Sequence, residues 1–220
     1  GNKGAAQRRR KDRAREVGKE IRRRRAFYVL AKGSNYMGRE GKQVAPPGGE
    51  RRVHEDLASP TKRLIKTAHE QLESAEFIKA RFHLMKLLHL LLPKGIPNIH
   101  AAYSEPDALV VERKWPSKKT LDGERAQSKL QAILGSLGVT LDVYSGNFLE
   151  EKDGSIYYID SVDPWMDMGN RLQPQYSETA LKNAIQEKIS DPTTRNKASL
   201  HLKRLSELLK EANQKQSKKP

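Results

Sequence analysis

The chain has 220 residues, 36% of them hydrophobic and 31% charged, which suits one ordinary domain or two small ones. It contains no cysteine, which excludes disulfide frameworks, thiolate zinc sites, iron–sulfur clusters and cysteine nucleophiles. The densest apolar stretch, residues 84–92, is interrupted by Lys86 and His89 and is too short to span a bilayer. No signal-peptide pattern opens the sequence, so we expect a cytoplasmic protein, or one delivered to a host cytosol if it is an effector.

The net charge of +15 is concentrated at the two ends of the chain. Residues 1–25, the basic arm, carry twelve Lys or Arg against three acidic residues, a net charge of +9. Residues 201–220 carry a net charge of +4, which leaves +2 for residues 26–200. The basic arm is either a solvated charged segment or a surface that attracts nucleic acid or an acidic partner. It has no aromatic residue, so binding through it would be electrostatic.

The first part of the chain predicts a strand, a loop and a long helix. Residues 26–32 are rich in strand formers and end at a Gly-Ser-Asn turn, and residues 39–49 contain enough glycine and proline to indicate an exposed loop. Ser59 followed by Pro60 is typical of a helix start, with Ser as the N-cap. Apolar residues then recur at steps of three and four without a Gly or Pro, which predicts one amphipathic helix over residues 61–92.

The rest of the chain combines short strands with further helices. The elements expected are strands at 98–103 and 108–112, a helix at 123–137, a β-hairpin of 148–150 and 155–159 around an Asp-Gly turn, and helices at 178–189 and 199–213. This order lacks the strand–helix–strand alternation of a parallel sheet. We therefore expect an α+β fold.

Polar residues cluster around the expected hairpin. Asp142 and Asn147 lie five residues apart in the loop before it, and Asp160 ends its second strand. Because a hairpin brings its ends together, Asn147 and Asp160 should lie side by side with Asp142 nearby. Carboxylate and amide oxygens suit Mg²⁺, which keeps several waters of its own. The plainer alternative is that the two aspartates only stabilise turns.

The run from Asp142 through Gly-Asn-Phe-Leu, followed by the Asp-Gly turn and Ile159-Asp160, resembles the core of the protein-kinase-like superfamily. The closest branch is that of the aminoglycoside phosphotransferases and small atypical kinases. The resemblance covers residues 26–165 and implies a small two-lobed fold with a short antiparallel sheet, one long helix and a reduced helical C-lobe. It implies that Asp142 accepts the proton of the substrate hydroxyl, and that Asn147 and Asp160 hold Mg²⁺ on the phosphates of ATP.

The resemblance also implies a lysine that binds the nucleotide phosphates. This lysine should end an early strand, which points to Lys32. Lys66 follows a similar Leu-Ile pair, but the expected helix over residues 61–92 argues against it. The acidic partner of the lysine would lie on the long helix, where Glu76 is the first choice and Glu73 the second.

A hinge between the two lobes is expected after the second of the two short strands, and it would carry Glu112 and Lys114 beside the nucleotide. Trp115 and Trp165 are expected in the core or in packing between the lobes, and Asp163 is expected in a turn or assisting the metal. The chain would then divide into the basic arm, an N-lobe-like part at 26–114 and a reduced C-lobe at 115–220.

These features predict an ATP- and Mg²⁺-dependent phosphotransferase whose acceptor is a protein or a small molecule with a hydroxyl group. Its partners would be ATP, the acceptor, and an acidic protein or nucleic acid at the basic arm, with no transmembrane segment. One alternative is a kinase-like module that binds without catalysis, since no His-Arg pair precedes Asp142. Another is a nucleic-acid-associated protein that acts through the basic arm.

Overall fold

The computed structural model describes residues 39–44, 51–69, 73–104, 107–115, 123–142, 144–169 and 171–217. The basic arm and Lys32 lie outside the described residues. The strands are β1 (Glu40–Gln43), β2 (Arg51–Asp56), β3 (Arg63–Ala68), β4 (Ile99–Ser104), β5 (Asp107–Glu112), β6 (Phe148–Glu150), β7 (Ile156–Tyr158), β8 (Trp165–Asp167) and β9 (Leu172–Pro174). The helices are α1 (Ala75–Leu91), α2 (Gly123–Ser136), α3 (Glu178–Lys188) and α4 (Pro192–Gln216), with a 3-10 turn at Ser145–Asn147.

Five strands form one antiparallel sheet in the order β1-β2-β3-β5-β4, and the two hairpins β6-β7 and β8-β9 stand apart from it. The predicted α+β fold class, with a short antiparallel sheet and one long helix, is confirmed. Strand β3 is central, because it pairs with β2 on one side and with β5 on the other. Alternation along β3 directs Leu64 and Lys66 to one face of the sheet and the fully buried Ile65 to the other.

The predicted helix over residues 61–92 is wrong in its first half. Ser59 and Pro60 form the turn between β2 and β3, and β3 occupies Arg63–Ala68. The apolar spacing there fits a helix, but pairing with two neighbouring strands satisfies the backbone of this segment as a central strand. The helix begins only after Ser74, whose hydroxyl accepts a hydrogen bond from the Phe77 amide at 3.2 Å.

Helix α1 lies at the centre of the protein. It packs against β4 on one side and α4 on the other, and eleven of its seventeen residues are buried. The core is continuous from α1 through one face of the sheet, the β6-β7 hairpin and helices α2, α3 and α4. Two buried histidines, His83 of α1 and His201 of α4, join these helices, since their Nδ1 atoms lie 2.8 Å apart.

Three smaller expectations also need correction. Residues 40–43, placed in a loop at 39–49, form strand β1, because they pair with β2. Trp115, expected in the core or in packing between the lobes, is 46% exposed, whereas Trp165 is buried as expected. The last helix begins at Pro192, where the Asp191 side chain caps it. None of the helices within the described residues is long and apolar enough to cross a membrane.

Candidate functional site

The β6-β7 hairpin places the backbone segments of Asn147 and Asp160 next to each other at its open end. Phe148 pairs with Tyr158, and beyond this pair the Ile159 amide donates a hydrogen bond to the Asn147 carbonyl at 2.8 Å. Asn147 therefore lies opposite Ile159, one residue from Asp160. The local sequence explains the hairpin, because the Asp-Gly turn supplies a glycine with a positive φ between two short apolar strands.

The loop that carries Asp142 is closed by polar contacts onto the same hairpin. The Asp142 amide donates to the Tyr158 hydroxyl at 3.3 Å, and the Asn147 side-chain amide donates to the Asp142 carbonyl at 3.3 Å. One carboxylate oxygen of Asp142 accepts from the Tyr144 amide at 3.2 Å. The Tyr144 ring lies so close to Gly146 that an added Cβ would approach it to 2.6 Å. A side chain at this position would therefore displace the exposed Tyr144 ring.

Tyr158 lies near several negatively charged side chains of the site. Burial raises the pKa of its hydroxyl well above the ordinary value, and the negative charges of Asp160, Asp142 and Asp163 raise it further. Three carboxylates therefore act on one buried phenol. Such a concentration of negative charge is suited to a cation or to cationic side chains.

The cationic side chain of Lys66 extends from the sheet toward these carboxylates. Its ammonium donates a hydrogen bond to the Ile159 carbonyl at 2.5 Å. Burial lowers the pKa of Lys66, the nearby Asp160 opposes this shift, and Arg51 reinforces it. The argument that Lys66 belongs to a helix is therefore wrong, since it lies on central strand β3 and meets the hairpin. Lys32, the first choice for this role, lies outside the described residues.

Two cavities meet at Asp160 and Ser161. The first, the apolar cavity, has a volume of about 420 Å³ and lies under the sheet. Its walls include aliphatic side chains such as Leu64, Leu109 and Leu149, together with Lys66 of strand β3. The second, the polar cavity, has a volume of about 1030 Å³ and lies between α1, the hairpins and the end of α4. Asp160 and Ser161 line both cavities. A ligand in either one would therefore contact the same two residues.

The polar cavity contains Asp142 but not the side chain of Asn147 among its described lining residues. Arg81 of α1 also lines it, and its guanidinium donates to Asp163 at 2.8 Å. Asp163 thus forms an ion pair across the cavity wall, a contact that neither the expected turn role nor the expected metal role includes. The structure therefore divides the three predicted site residues, with Asp142 and Asp160 facing the cavity and Asn147 bound to the loop.

The two candidate acidic partners of the lysine lie on or just before α1. The carboxylate of Glu76 forms an ion pair with Lys215 near the end of α4. The hydrogen bond from Lys215 lowers the pKa of Glu76. Glu73 is half-buried, and burial raises its pKa although Arg81 opposes the shift. Within the described residues, Lys66 donates its hydrogen bond to the Ile159 carbonyl. Glu76 forms its ion pair with Lys215 and not with Lys66.

The expected hinge residues Glu112 and Lys114 lie at the other end of the apolar cavity. They form an ion pair at 2.8 Å, and the Lys114 ammonium lies 4.1 Å from the centre of the Tyr157 ring. Burial alone would raise the pKa of Glu112, but hydrogen bonds from the Asn98 amide and from Lys114 lower it below its ordinary value. This segment therefore connects the sheet to the β6-β7 hairpin.

Asp160 and Asn147 carry oxygen donors of the kind that a hard cation prefers. One carboxylate oxygen of Asp160 accepts a hydrogen bond from the Ser161 amide. The side-chain nitrogen of Asn147 donates a hydrogen bond to the Asp142 carbonyl. One carboxylate oxygen and one amide oxygen remain, which is the number of protein ligands that Mg²⁺ commonly takes beside phosphates and water. Among the described residues, no group of three His, Asp or Glu side chains is arranged to hold a metal. A cation here would thus depend on ligands from a substrate.

The sequence matches no protein-family model, and no curated protein matches it significantly.

Proposed function

We propose that the protein is a kinase-like phosphotransferase that uses ATP and Mg²⁺ and transfers a phosphoryl group to a hydroxyl acceptor. The observation that carries the proposal is the hydrogen bond from the Lys66 ammonium to the Ile159 carbonyl, beside Asp160, where the two cavities meet. An apolar cavity of about 420 Å³ is large enough for a nucleoside. Its charged end opens onto the polar cavity that contains Asp142.

In this proposal the nucleotide lies in the apolar cavity with its phosphates at Lys66. A buried ammonium favours an anionic partner over a neutral carbonyl, because the opposite charge offsets its desolvation. The phosphates would therefore replace the Ile159 carbonyl as the hydrogen-bond acceptor of the Lys66 ammonium. Asp160 and Asn147 would hold Mg²⁺, which neutralises charge on the phosphates when it is bound.

Asp142 is the proposed proton acceptor. The acceptor hydroxyl would enter through the polar cavity, which Asp142 and Asp160 both line. A bond forms between the hydroxyl oxygen and the terminal phosphorus of ATP while the bond from that phosphorus to the bridging oxygen breaks. The hydroxyl proton passes to the Asp142 carboxylate, and ADP leaves with the electron pair.

The test is Mg²⁺-dependent ATP binding by calorimetry, together with slow ATP hydrolysis in which water serves as the acceptor. We expect Lys66→Ala and Asp160→Ala to weaken Mg²⁺-ATP binding at least tenfold and to abolish turnover. Lys62→Ala is the matched control, because Lys62 precedes the same strand and its side chain is exposed. It should bind and turn over ATP like the wild type.

Wild-type protein that binds no nucleotide with Mg²⁺ would contradict the proposal. Binding without any turnover would favour the module that binds without catalysis. Lys32→Ala belongs in the same series, because a loss of binding in that variant with none in Lys66→Ala would return the phosphate-binding role to Lys32.

A further inference from the structure

Trp115 is a large aromatic side chain that the fold holds in position without burying it. It follows strand β5, lines the apolar cavity and is 46% exposed. The Arg113 guanidinium lies 3.8 Å from the centre of its ring and covers one face. Arg113 is itself fixed by hydrogen bonds to the Glu55 carboxylate at 2.9 Å and to the Pro60 carbonyl at 2.7 Å. The orientation of the indole is thus set from the sheet side.

The backbone of this segment is fixed from the hairpin side as well. The Trp115 amide donates to the Glu151 carboxylate at 3.3 Å, and the Lys114 ammonium lies 4.0 Å from the same side chain. The Arg113 guanidinium contacts the ring and the hairpin contacts its backbone, so a ligand that stacks on the ring meets a partly ordered side chain. Since one face is covered by Arg113, the exposed surface belongs to the other face and the ring edge.

The strand register gives the spacing along the sheet between Lys66 and the end of β5, which Trp115 follows. In the β3-β5 pairing, Arg63 is opposite Glu112 and Lys66 is opposite Leu109, a separation of three residues. Three residues of strand span about 10 Å. Trp115 follows Glu112, so the aromatic ring and the Lys66 ammonium lie toward opposite ends of a cavity with aliphatic walls. A nucleotide has the same polarity, with a flat base at one end and phosphates at the other.

We infer that Trp115 is the stacking surface for a purine base, and that it determines which nucleotide the apolar cavity accepts. This inference rests on the proposed function, because it assigns the base end of the same nucleotide. A purine offers a larger aromatic face than a pyrimidine, so the stack favours ATP over CTP. Lys66 serves the phosphates of every nucleotide equally, which leaves the discrimination to Trp115.

Calorimetry with three probes separates the two ends of the cavity. Mg²⁺-ATP carries a purine, Mg²⁺-CTP carries a pyrimidine, and Mg²⁺-tripolyphosphate carries no base. We expect Trp115→Ala to weaken ATP binding about tenfold, which is typical for the loss of one base–aromatic stack. Tripolyphosphate binding should stay unchanged, and the preference for ATP over CTP should disappear. Trp115→Phe keeps an aromatic face and should retain most of the ATP affinity.

Leu200→Ala is the matched control, because Leu200 is also 46% exposed but lies on α4. A second readout is fluorescence of a Trp165→Phe variant, in which Trp115 is the remaining tryptophan of the chain. ATP should quench this signal, and tripolyphosphate should not.

Each outcome separates the inference from the proposed function. Unchanged ATP affinity in Trp115→Ala, with a clear loss in Lys66→Ala, would overturn the stacking role and leave the phosphotransferase proposal standing. An equal loss of ATP and tripolyphosphate binding in Trp115→Ala would also overturn it, since the effect would then not depend on the base. Wild-type protein that binds none of the three probes would overturn both.

Discussion

The two cavities share Asp160 and Ser161 but differ in the polarity of their walls. The apolar cavity has aliphatic walls from the sheet and a single strand lysine, Lys66, at one end. The polar cavity is more than twice as large and has carboxylates from α1, the hairpins and the loop of Asp142 in its walls. An apolar cavity selects a ligand by shape and area, whereas a polar one selects by hydrogen bonds and charge. In the proposed reaction, the apolar cavity would take the nucleotide and the polar cavity the acceptor.

The largest expected effect separates the two cavities by function. Asp142 lines the polar cavity, so Asp142→Ala should reduce ATP turnover by about 10²- to 10⁴-fold, the usual contribution of a proton acceptor. Mg²⁺-ATP affinity should stay within about twofold, because the proposed position of the nucleotide is in the apolar cavity. Turnover and calorimetry on the same preparation measure both quantities.

Glu187→Gln is the control for removing one negative charge, since Glu187 is exposed on α3. A parallel loss of ATP affinity and turnover in Asp142→Ala would contradict the assignment of nucleotide binding to the apolar cavity and of proton acceptance to the polar cavity.

The second prediction concerns stability on the sheet side. Arg51 makes two hydrogen bonds to Asp107, at 3.0 and 2.9 Å, and the Asp107 side chain is only 1% exposed. Asp107→Ala leaves a mostly buried guanidinium without its partner, which costs about 3–5 kcal/mol. Urea unfolding would measure the loss. Since Arg51 already contributes to the lowered pKa of Lys66, the unpaired charge should also weaken proton binding by Lys66.

Lys182→Ala provides the contrast, because its pair with Glu178 is exposed on both sides. Loss of such a surface pair costs less than about 0.5 kcal/mol. Equal losses in the two variants would mean that burial does not govern these ion pairs.

The third prediction is a pH dependence on the side of the polar cavity, whose walls include α1 and α4. Burial and the neighbouring His201 lower the pKa of His83 to about 3, and burial lowers the pKa of His201 to about 4. Both values lie below the ordinary 6.5, so the unfolded chain binds more protons in mild acid. Stability should therefore be full above about pH 6.5 and fall toward pH 4, by at most about 1.4 kcal/mol per pH unit for each histidine.

Urea midpoints between pH 4.5 and 7.5 measure this slope. The double variant His83→Leu, His201→Leu should show a flatter profile, because both buried titrating groups are removed. His69→Gln should keep the wild-type slope, since His69 is exposed. A double variant with the full acid sensitivity would assign it to other groups.

The smallest predicted effect concerns the turn that presents Asn147 and Asp160. Gly154 has a φ of +81°, and an added Cβ would meet no atom within 4 Å. Gly154→Ala should therefore cost about 1 kcal/mol through backbone conformation alone. Gly135→Ala in α2 also meets no neighbour, but there alanine favours the helix and should stabilise by about 0.5–1 kcal/mol. Thermal unfolding of the pair tests the opposite signs.

The hairpin side of the site could be predicted because its signals are local. Asn147 and Asp160 are separated by twelve residues that contain an Asp-Gly turn, and the strand pairing follows from that turn alone. The placement of the Asn147 side chain was not predictable in this way. Its contact with the Asp142 carbonyl depends on the path of a loop with few sequence signals.

On the sheet side, β4 and β5 were predicted close to their observed bounds, whereas β3 was mispredicted as helix because its pairing partners are distant in the sequence. Lys66 lies opposite Val53 and Leu109, and no feature of residues 63–68 alone reveals these neighbours. A useful signal was present nevertheless. Residues 51–56 and 63–68 flank a turn at Ser59 and Pro60, and the sequence before residue 51 contains paired prolines and glycines, a pattern that is also typical of hairpins.

The hydrogen bond from Lys66 to Ile159 also has a consequence for folding. It joins residues that are 93 positions apart in the sequence. Contacts of such separation form only after the entropy of closing a long loop has been overcome, and they slow folding. The junction of the cavities therefore assembles late, after the local hairpin. A fragment that ends before residue 159, or begins after residue 66, contains one half of this contact and no site.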